Sequence, residues 1–267
     1  MVAYMDHKDL ANEAVEPKRA QQIADGVHRV LEGIAQAEQQ AGRAAGEVRL
    51  LAATKTRDVG EIMAAIDAGV RMIGENRPQE VEAKAAGLTK LCADRGLALG
   101  TMAPANTQAT PLPFHLIGQL QSNKINKVLP HVTTIESVDN LGLAQKIARR
   151  AAARNITVGV LLEVNESGEE SKSGCQPEEA QDLAHQIAEL EGVRLEGLMT
   201  IGAHVDDEAV IRRGFAHLRE TRDALRSQIP TCTELSMGMT QDMAYAIDEG
   251  STIVRVGTAI FGPRAFI

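Results

Sequence analysis

Lys55 ends the run Leu50-Leu51-Ala52-Ala53-Thr54, an apolar stretch of the kind buried on both faces, and a helical pattern, Val59-Ile62-Met63-Ile66, follows four residues on. A primary amine at the tip of such a strand can attack a carbonyl and form a Schiff base, provided desolvation and a neighbouring cation disfavour its ammonium form. Spacing alone fits a surface lysine snorkelling off a strand end at least as well. Two further stretches bear on the choice. Ser236-Met237-Gly238-Met239-Thr240 opens a helical pattern, and Arg255-Val256-Gly257-Thr258 leads into Ala259-Ile260-Phe261-Gly262. Small residues let backbone N–H groups approach phosphate oxygens, a helix N-terminus adds a favourable dipole, and Ser236 and Thr258 offer hydroxyl donors. Each loop by itself reads equally as a tight turn at Gly238 or Gly257; together they favour a phosphate. A phosphate-bearing aldehyde that reacts with lysine is pyridoxal 5′-phosphate.

These residues need a scaffold that brings them together. After a long helical pattern at 17–42, strand and helix signals alternate. Apolar strands are expected at 49–54, 71–75, 114–118, 133–137, 157–165, 193–201, 233–237 and 251–257, with helical periodicities between them. Eight near-continuous apolar strands, each followed by a helix, predict an α/β fold: a single (β/α)8 TIM-type barrel with an extra N-terminal helix. An open doubly wound sheet is the alternative, but the first βα turn lacks a GxGxxG fingerprint. In such barrels, binding residues gather at the C-terminal strand ends, with phosphate commonly held after strands seven and eight. That places Lys55, after strand one, across the same mouth.

One barrel domain over 1–267 is expected, with residues 1–16 a flexible tail and 96–113, rich in proline, a mobile insertion. The loop at 167–177 is polar and glycine-rich.

Composition excludes several classes. The net charge is −8, and there are four Phe, two Tyr and no Trp, so neither a basic patch nor an aromatic platform points to nucleic acid. No stretch approaches the length of a membrane span. Three widely spaced cysteines without a CxxC suit a reducing, cytoplasmic setting rather than a disulfide framework. Cys175 reads as a plain exposed thiol, the pair Glu169-Glu170 as solvated surface rather than a metal site, and Lys124 and Lys127 as a helix face or a second landing place for phosphate. No metal site is expected.

The chain resembles the YggS/PROSC family of pyridoxal phosphate homeostasis proteins from about residue 27 to 264. The resemblance is carried by AATKT (52–56), IGENRPQE (73–80), FHLIGQLQSNK (114–124), IESVD (135–139), EVNESGEESKSG (163–174), GLMTIG (197–202), LSMGMTQDM (235–243) and VRVGTAIFGPR (254–264). It implies a fold-type III barrel similar to the N-terminal domain of alanine racemase, with Lys55 as the Schiff-base lysine. It further implies that Ser236, Gly257 and Thr258 hold the phosphate, that Arg255 faces the pyridine nitrogen, and that Asn76, Asn165 and Met199 wall the pocket. Arg77 and Gln119 stand where relatives often carry Tyr and Pro, and the 89–113 segment is longer than in most.

Arg255 lies two residues before Gly257, on the same side of its strand. A permanent guanidinium beside the ring nitrogen keeps it unprotonated, which makes a poor electron sink. The competing reading of Arg255 is a core arginine paired with Glu234 or Glu163. Racemisation needs a base on each face of the substrate carbon. In alanine racemase, by the same comparison, the second is a Tyr from a separate β-domain, which is expected to be absent here. Tyr4 and Tyr245 are poor substitutes, and His115 and His204 read as structural or rim residues. The expected function is therefore binding of pyridoxal phosphate for intracellular homeostasis, as a carrier or reservoir with no catalytic residues; the alternative is a low-activity amino-acid racemase. Apo-enzymes that use the cofactor are the expected recipients. A monomer is expected, with a dimer as the alternative.

Overall fold

A computed structural model describes residues 9–100, 108–169, 173–203 and 205–263. Tyr4, His204 and Glu170, considered above, lie outside the described residues.

The helical pattern at the start forms α1 (Pro17–Gln40), with proline in its first turn and Ile23, Val27, Val30, Ile34 and Ala37 buried on one face. Strand β1 (Arg49–Ala53) follows, then α2 (Val59–Asp67), β2 (Ile73–Glu75) and α3 (Pro78–Ala93). Next come β3 (Leu97–Leu99), β4 (Thr110–Leu112), β5 (Phe114–Leu116), α4 (Ile125–Val128) and β6 (Thr134–Val138). The remainder is α5 (Leu141–Ala152), β7 (Val158–Glu163), α6 (Ala180–Ala188), β8 (Val193–Met199), α7 (Glu208–Arg226), β9 (Glu234–Ser236), α8 (Met243–Asp248), β10 (Ile253–Val256) and α9 (Thr258–Phe261).

Eight of these strands close into a barrel in the order β1-β10-β9-β8-β7-β6-β5-β2, every neighbouring pair parallel. The expected architecture, including the extra N-terminal helix, is the one observed. Strand β7 shows why the strands read as unbroken apolar runs: all six residues are buried, because helices cover the outside and neighbouring strands the inside. Val160 and Leu162 join the outer core beneath the helices, whereas Leu51, Met72 and Ile253 form a small apolar layer within the barrel, with Ile117 against it.

Two segments differ from expectation. Residues 9–16, read as part of a tail, lie against α2: Leu10 is buried, and the carbonyls of Leu10 and Asn12 accept the N–H groups of Val59 (3.2 Å) and Gly60 (2.9 Å). Free N–H groups at a helix start need acceptors, and this segment supplies two. The insertion at 96–113 is ordered at both ends, where β3 and β4 pair in parallel as a separate two-stranded sheet; residues 101–107 lie outside the described residues.

Helix α1 seats the last turn of the barrel. Gly26 packs so closely on α9 that a Cβ there would lie 2.5 Å from the Ile260 carbonyl oxygen and 2.9 Å from that of Ala259. Backbone cannot yield as a side-chain tip can. Gly26→Ala is therefore expected to lower stability by about 1–3 kcal/mol, the usual cost of overpacking, measured by urea denaturation. A variant as stable as the parent would show that α1 does not fix α9.

Candidate functional site

Strands β1 and β10 pair from Arg49↔Ile253 to Ala52↔Val256. The next step of that register sets Ala53 beside Gly257, where a Cβ would stand only 3.1 Å from the Ala53 carbonyl oxygen. Lys55, two residues past Ala53, thus shares one stretch of rim with the Gly257-Thr258 turn. Strand β9 adjoins: Ile253 pairs with Ser236, and the Arg255 N–H donates to the Gly238 carbonyl at 3.0 Å. Gly238 has φ +95°, and a Cβ there would lie 2.5 Å from that of Ala246, so this turn admits only glycine.

The structure modifies the expectation of helix dipoles at these turns. Helix α9 follows Gly257 at once but has four residues, and α8 begins only at Met243. The Met239 N–H already donates to Asp242 Oδ1 at 2.6 Å. A single turn carries little macrodipole, so an anion at these turns would have to be held by individual N–H groups.

Beneath the rim the barrel holds a chain of buried polar groups. The Arg255 guanidinium, 7% exposed, donates through Nη1 to the Ser236 carbonyl and hydroxyl, both at 2.7 Å, and through Nη2 to the Thr200 carbonyl at 2.8 Å. The Ser236 hydroxyl donates to Glu136 Oε2 at 2.7 Å, and Glu136 Oε1 lies 2.7 Å from His115 Nδ1. Four strands, β5, β6, β9 and β10, are tied together across the interior. Burial works to raise the Glu136 carboxyl, but His115, Arg255 and Ser236 outweigh it and hold the group below the usual carboxylate range. Neither carboxylate considered above as an arginine partner takes that part. Glu136 does, at 3.9 Å, while Glu234 pairs with Arg49 at 2.5 Å. Ser236, expected at a phosphate, has its hydroxyl engaged in this chain.

Glu163 stands beside Met199 in the β7–β8 register. One of its oxygens accepts from the Ser173 hydroxyl at 2.8 Å; the other is buried with no hydrogen-bond partner. Burial pushes this carboxyl up from its usual value. Asn165 is buried, and its carboxamide organises the following loop, accepting from the Ser167 hydroxyl at 2.7 Å and donating to the Glu169 carbonyl at 2.9 Å. Asn76 is half-buried at the end of β2, and Thr258 is exposed.

A second charged group, unforeseen from sequence, surrounds the residues flanking Lys55. Lys84, on α3 and fully buried, donates to Glu75 Oε1 (2.6 Å), Glu80 Oε2 (2.9 Å) and the Thr54 carbonyl (3.1 Å). Glu75 Oε1 also accepts from the Thr54 hydroxyl at 2.5 Å, and Glu80 Oε2 from the Thr56 N–H at 2.7 Å. Burial raises the Glu75 carboxyl to about 7, Lys84 opposing and Glu80 reinforcing the rise. Glu80 and Lys84 sit at i and i+4 on a helix, the one sequence signal that could have suggested the pair.

Cys175 is buried, not exposed, and burial pushes its thiol up to about 12; Cys92 and Cys232 are likewise raised to about 11. Lys127 pairs with Glu82 at 2.5 Å. Tyr245 lies under the guanidinium of Arg212, 4.9 Å from its ring centre.

Residues 31–265 match the family model of the alanine racemase N-terminal domain. The pyridoxal phosphate homeostasis protein of Pseudomonas aeruginosa is 39% identical over 244 residues, 91% of this chain and 96% of its own. Among solved structures, an unknown protein from Bifidobacterium adolescentis is 69% identical with a TM-score of 0.92, over 95% of this chain and 100% of its own. PipY of Synechococcus elongatus PCC7942, solved with PLP bound, is 33% identical with a TM-score of 0.68, over 86% of this chain and all of its own. With the barrel closed and most of its length matched in this way, the chain belongs to the alanine racemase N-terminal domain family, among the pyridoxal phosphate homeostasis proteins.

Proposed function

We propose that this protein binds pyridoxal 5′-phosphate through the Lys55 amine and serves intracellular homeostasis of that cofactor as a carrier or reservoir. The observation that carries the reading is the shared rim: Lys55 follows β1, the Gly257-Thr258 turn follows β10, and the two strands are paired neighbours. The donor set fits the cofactor. An amine stands at one strand end, a glycine lies in each of the two turns, and an arginine on β10 is buried. Pyridoxal phosphate, when bound, supplies an aldehyde that condenses with a primary amine and a ring that can accept electrons.

Each residue then has a part. Lys55 provides the nucleophile. Gly257 and Thr258, with the backbone after Ser236, receive the phosphate through N–H groups and the Thr258 hydroxyl. Arg255 presents a permanent positive charge to the ring nitrogen and keeps a proton off it. Asn76, Asn165 and Met199 close the walls. Support for the homeostasis role comes from the relatives that carry that name. A cytoplasmic setting and delivery to apo-enzymes complete the reading; no helix among the described residues is long and apolar enough to cross a membrane.

Two outcomes test this. Protein incubated with pyridoxal phosphate should gain visible absorbance, and borohydride followed by peptide mapping should place the added mass on Lys55. Lys55→Ala should lose both. A variant that kept the same reducible adduct on the same peptide would overturn the assignment. Amino-acid turnover at ~1 s⁻¹ or faster, within the usual enzyme range, would replace the carrier with a racemase.

The second concerns the group that holds Arg255. Glu136→Gln is expected to cost about 3 kcal/mol, because it leaves a buried guanidinium without its carboxylate. A folded-state pKa held below its usual 4.5 means that the contribution is whole above that pH and is lost as pH falls through the depressed value. The wild type should therefore lose more stability than the variant on acidification below about pH 4.5, read by urea denaturation across a pH series.

A further inference from the structure

The turn that carries Lys55 is not one its own residues favour. Thr56 has φ +65°, a left-handed backbone that L-residues seldom adopt and that is least suited to a β-branched side chain. Such a conformation persists only where the surroundings impose it. Those surroundings come from β2 and α3. The Thr56 N–H donates to Glu80 Oε2 at 2.7 Å, the Thr54 carbonyl accepts from Lys84 at 3.1 Å, and the Thr54 hydroxyl donates to Glu75 Oε1 at 2.5 Å. Both neighbours of Lys55 are thus gripped by one cluster, of which Glu75, Glu80 and Lys84 are each wholly buried. Helix packing alone would not require this cluster. An apolar trio of similar volume would fill the space without leaving Glu75 Oε2 and Glu80 Oε1 buried and unpartnered.

We propose that Glu75, Lys84 and Glu80 are positioning residues for Lys55, holding Thr54 and Thr56 in the backbone conformation that aims the amine into the barrel mouth. Glu80 acts on the far side of the turn, Glu75 on the near side, and Lys84 fixes the two carboxylates relative to each other. The inference rests on the reading of Lys55 as the residue that reacts with pyridoxal phosphate.

The test uses the full chain and reads the turn with and without cofactor. In cofactor-free protein, hydrogen exchange should show the Thr56 amide, on a buried residue hydrogen-bonded to Glu80, protected. Glu80→Ala should speed that exchange by about tenfold or more, the factor expected for a hydrogen bond to a charged group. The same variant, folded by circular dichroism, should form the reducible Lys55 adduct about tenfold more slowly on the same grounds. Thr56→Gly added to Glu80→Ala should restore most of that rate, because glycine takes a positive φ without strain; a merely structural role would show no such rescue. Adduct formation at the parent rate in folded Glu80→Ala, or no recovery in the double variant, overturns the proposal. Should Glu80→Ala fail to fold, the wild-type exchange decides, since a Thr56 amide that exchanges as an open turn amide also overturns it. Failure of the underlying reading is separate: the parent protein itself would then carry no adduct on Lys55, while the Thr56 amide could remain protected.

Discussion

A guanidinium inside a closed barrel is tolerable only if its charge and its N–H groups are answered by neighbours, and that demand organises this molecule. Burying an isolated charge costs far more than a fold can spare. Arg255 meets the demand with two backbone carbonyls, the Ser236 hydroxyl and the field of Glu136. Glu136 must in turn remain ionised within the barrel, and it does so through His115 and Ser236. Each group is placed by the next, so the position of the guanidinium is set by four strands rather than by one side chain's rotamers. A small apolar layer, Leu51, Met72 and Ile253, shares this interior. Its upper side is the rim, where a ligand would meet a fixed positive charge.

The second buried charge cluster lies outside the barrel wall, between β2 and α3, and faces the same strand end from behind. The two clusters differ in make-up: one pairs an arginine with a single carboxylate, the other sets two carboxyl groups about one ammonium. Together they contact Arg255 and the residues flanking Lys55, the two ends of the proposed cofactor site. This is how barrels divide labour. Strand ends aim the chemistry, and buried neighbours keep them aimed.

The sequence makes the barrel legible because parallel strands are buried on both faces and leave unbroken apolar runs. It also exposes Lys55, Gly238, Gly257 and Thr258, since lysine or glycine after such a run is conspicuous. What it hides is instructive. Nothing in the sequence marks Glu75, Glu136 and Lys84 as buried charges, since charge normally means exposure, and only the folded chain shows each at 0% exposure. Cys175 sits in a polar stretch yet is buried, because its backbone bridges to Val164 at the end of β7. Strands β3 and β4 are masked by proline and by three-residue lengths that no periodicity can register. Ser236 was visible as a hydroxyl at the right strand end, but its orientation toward Glu136 depends on a residue one hundred positions away.

Why Thr56 and not glycine at a left-handed position? A glycine would relax into φ +65° unaided, and for that reason it would also relax out of it, since the same freedom opens other basins. Threonine narrows the choice. It disfavours the observed conformation in isolation, so the turn forms only when Glu80 accepts its N–H, and Glu80 is in place only when α3 is docked and Lys84 is buried. Local strain thereby becomes conditional on tertiary packing. A turn built this way is held in the folded state at modest cost, and it is disfavoured in a partly folded chain, where the left-handed residue costs about 1–2 kcal/mol. For a site whose reagent would be a free aldehyde, that dependence confines the reactive geometry of the amine to the completed barrel.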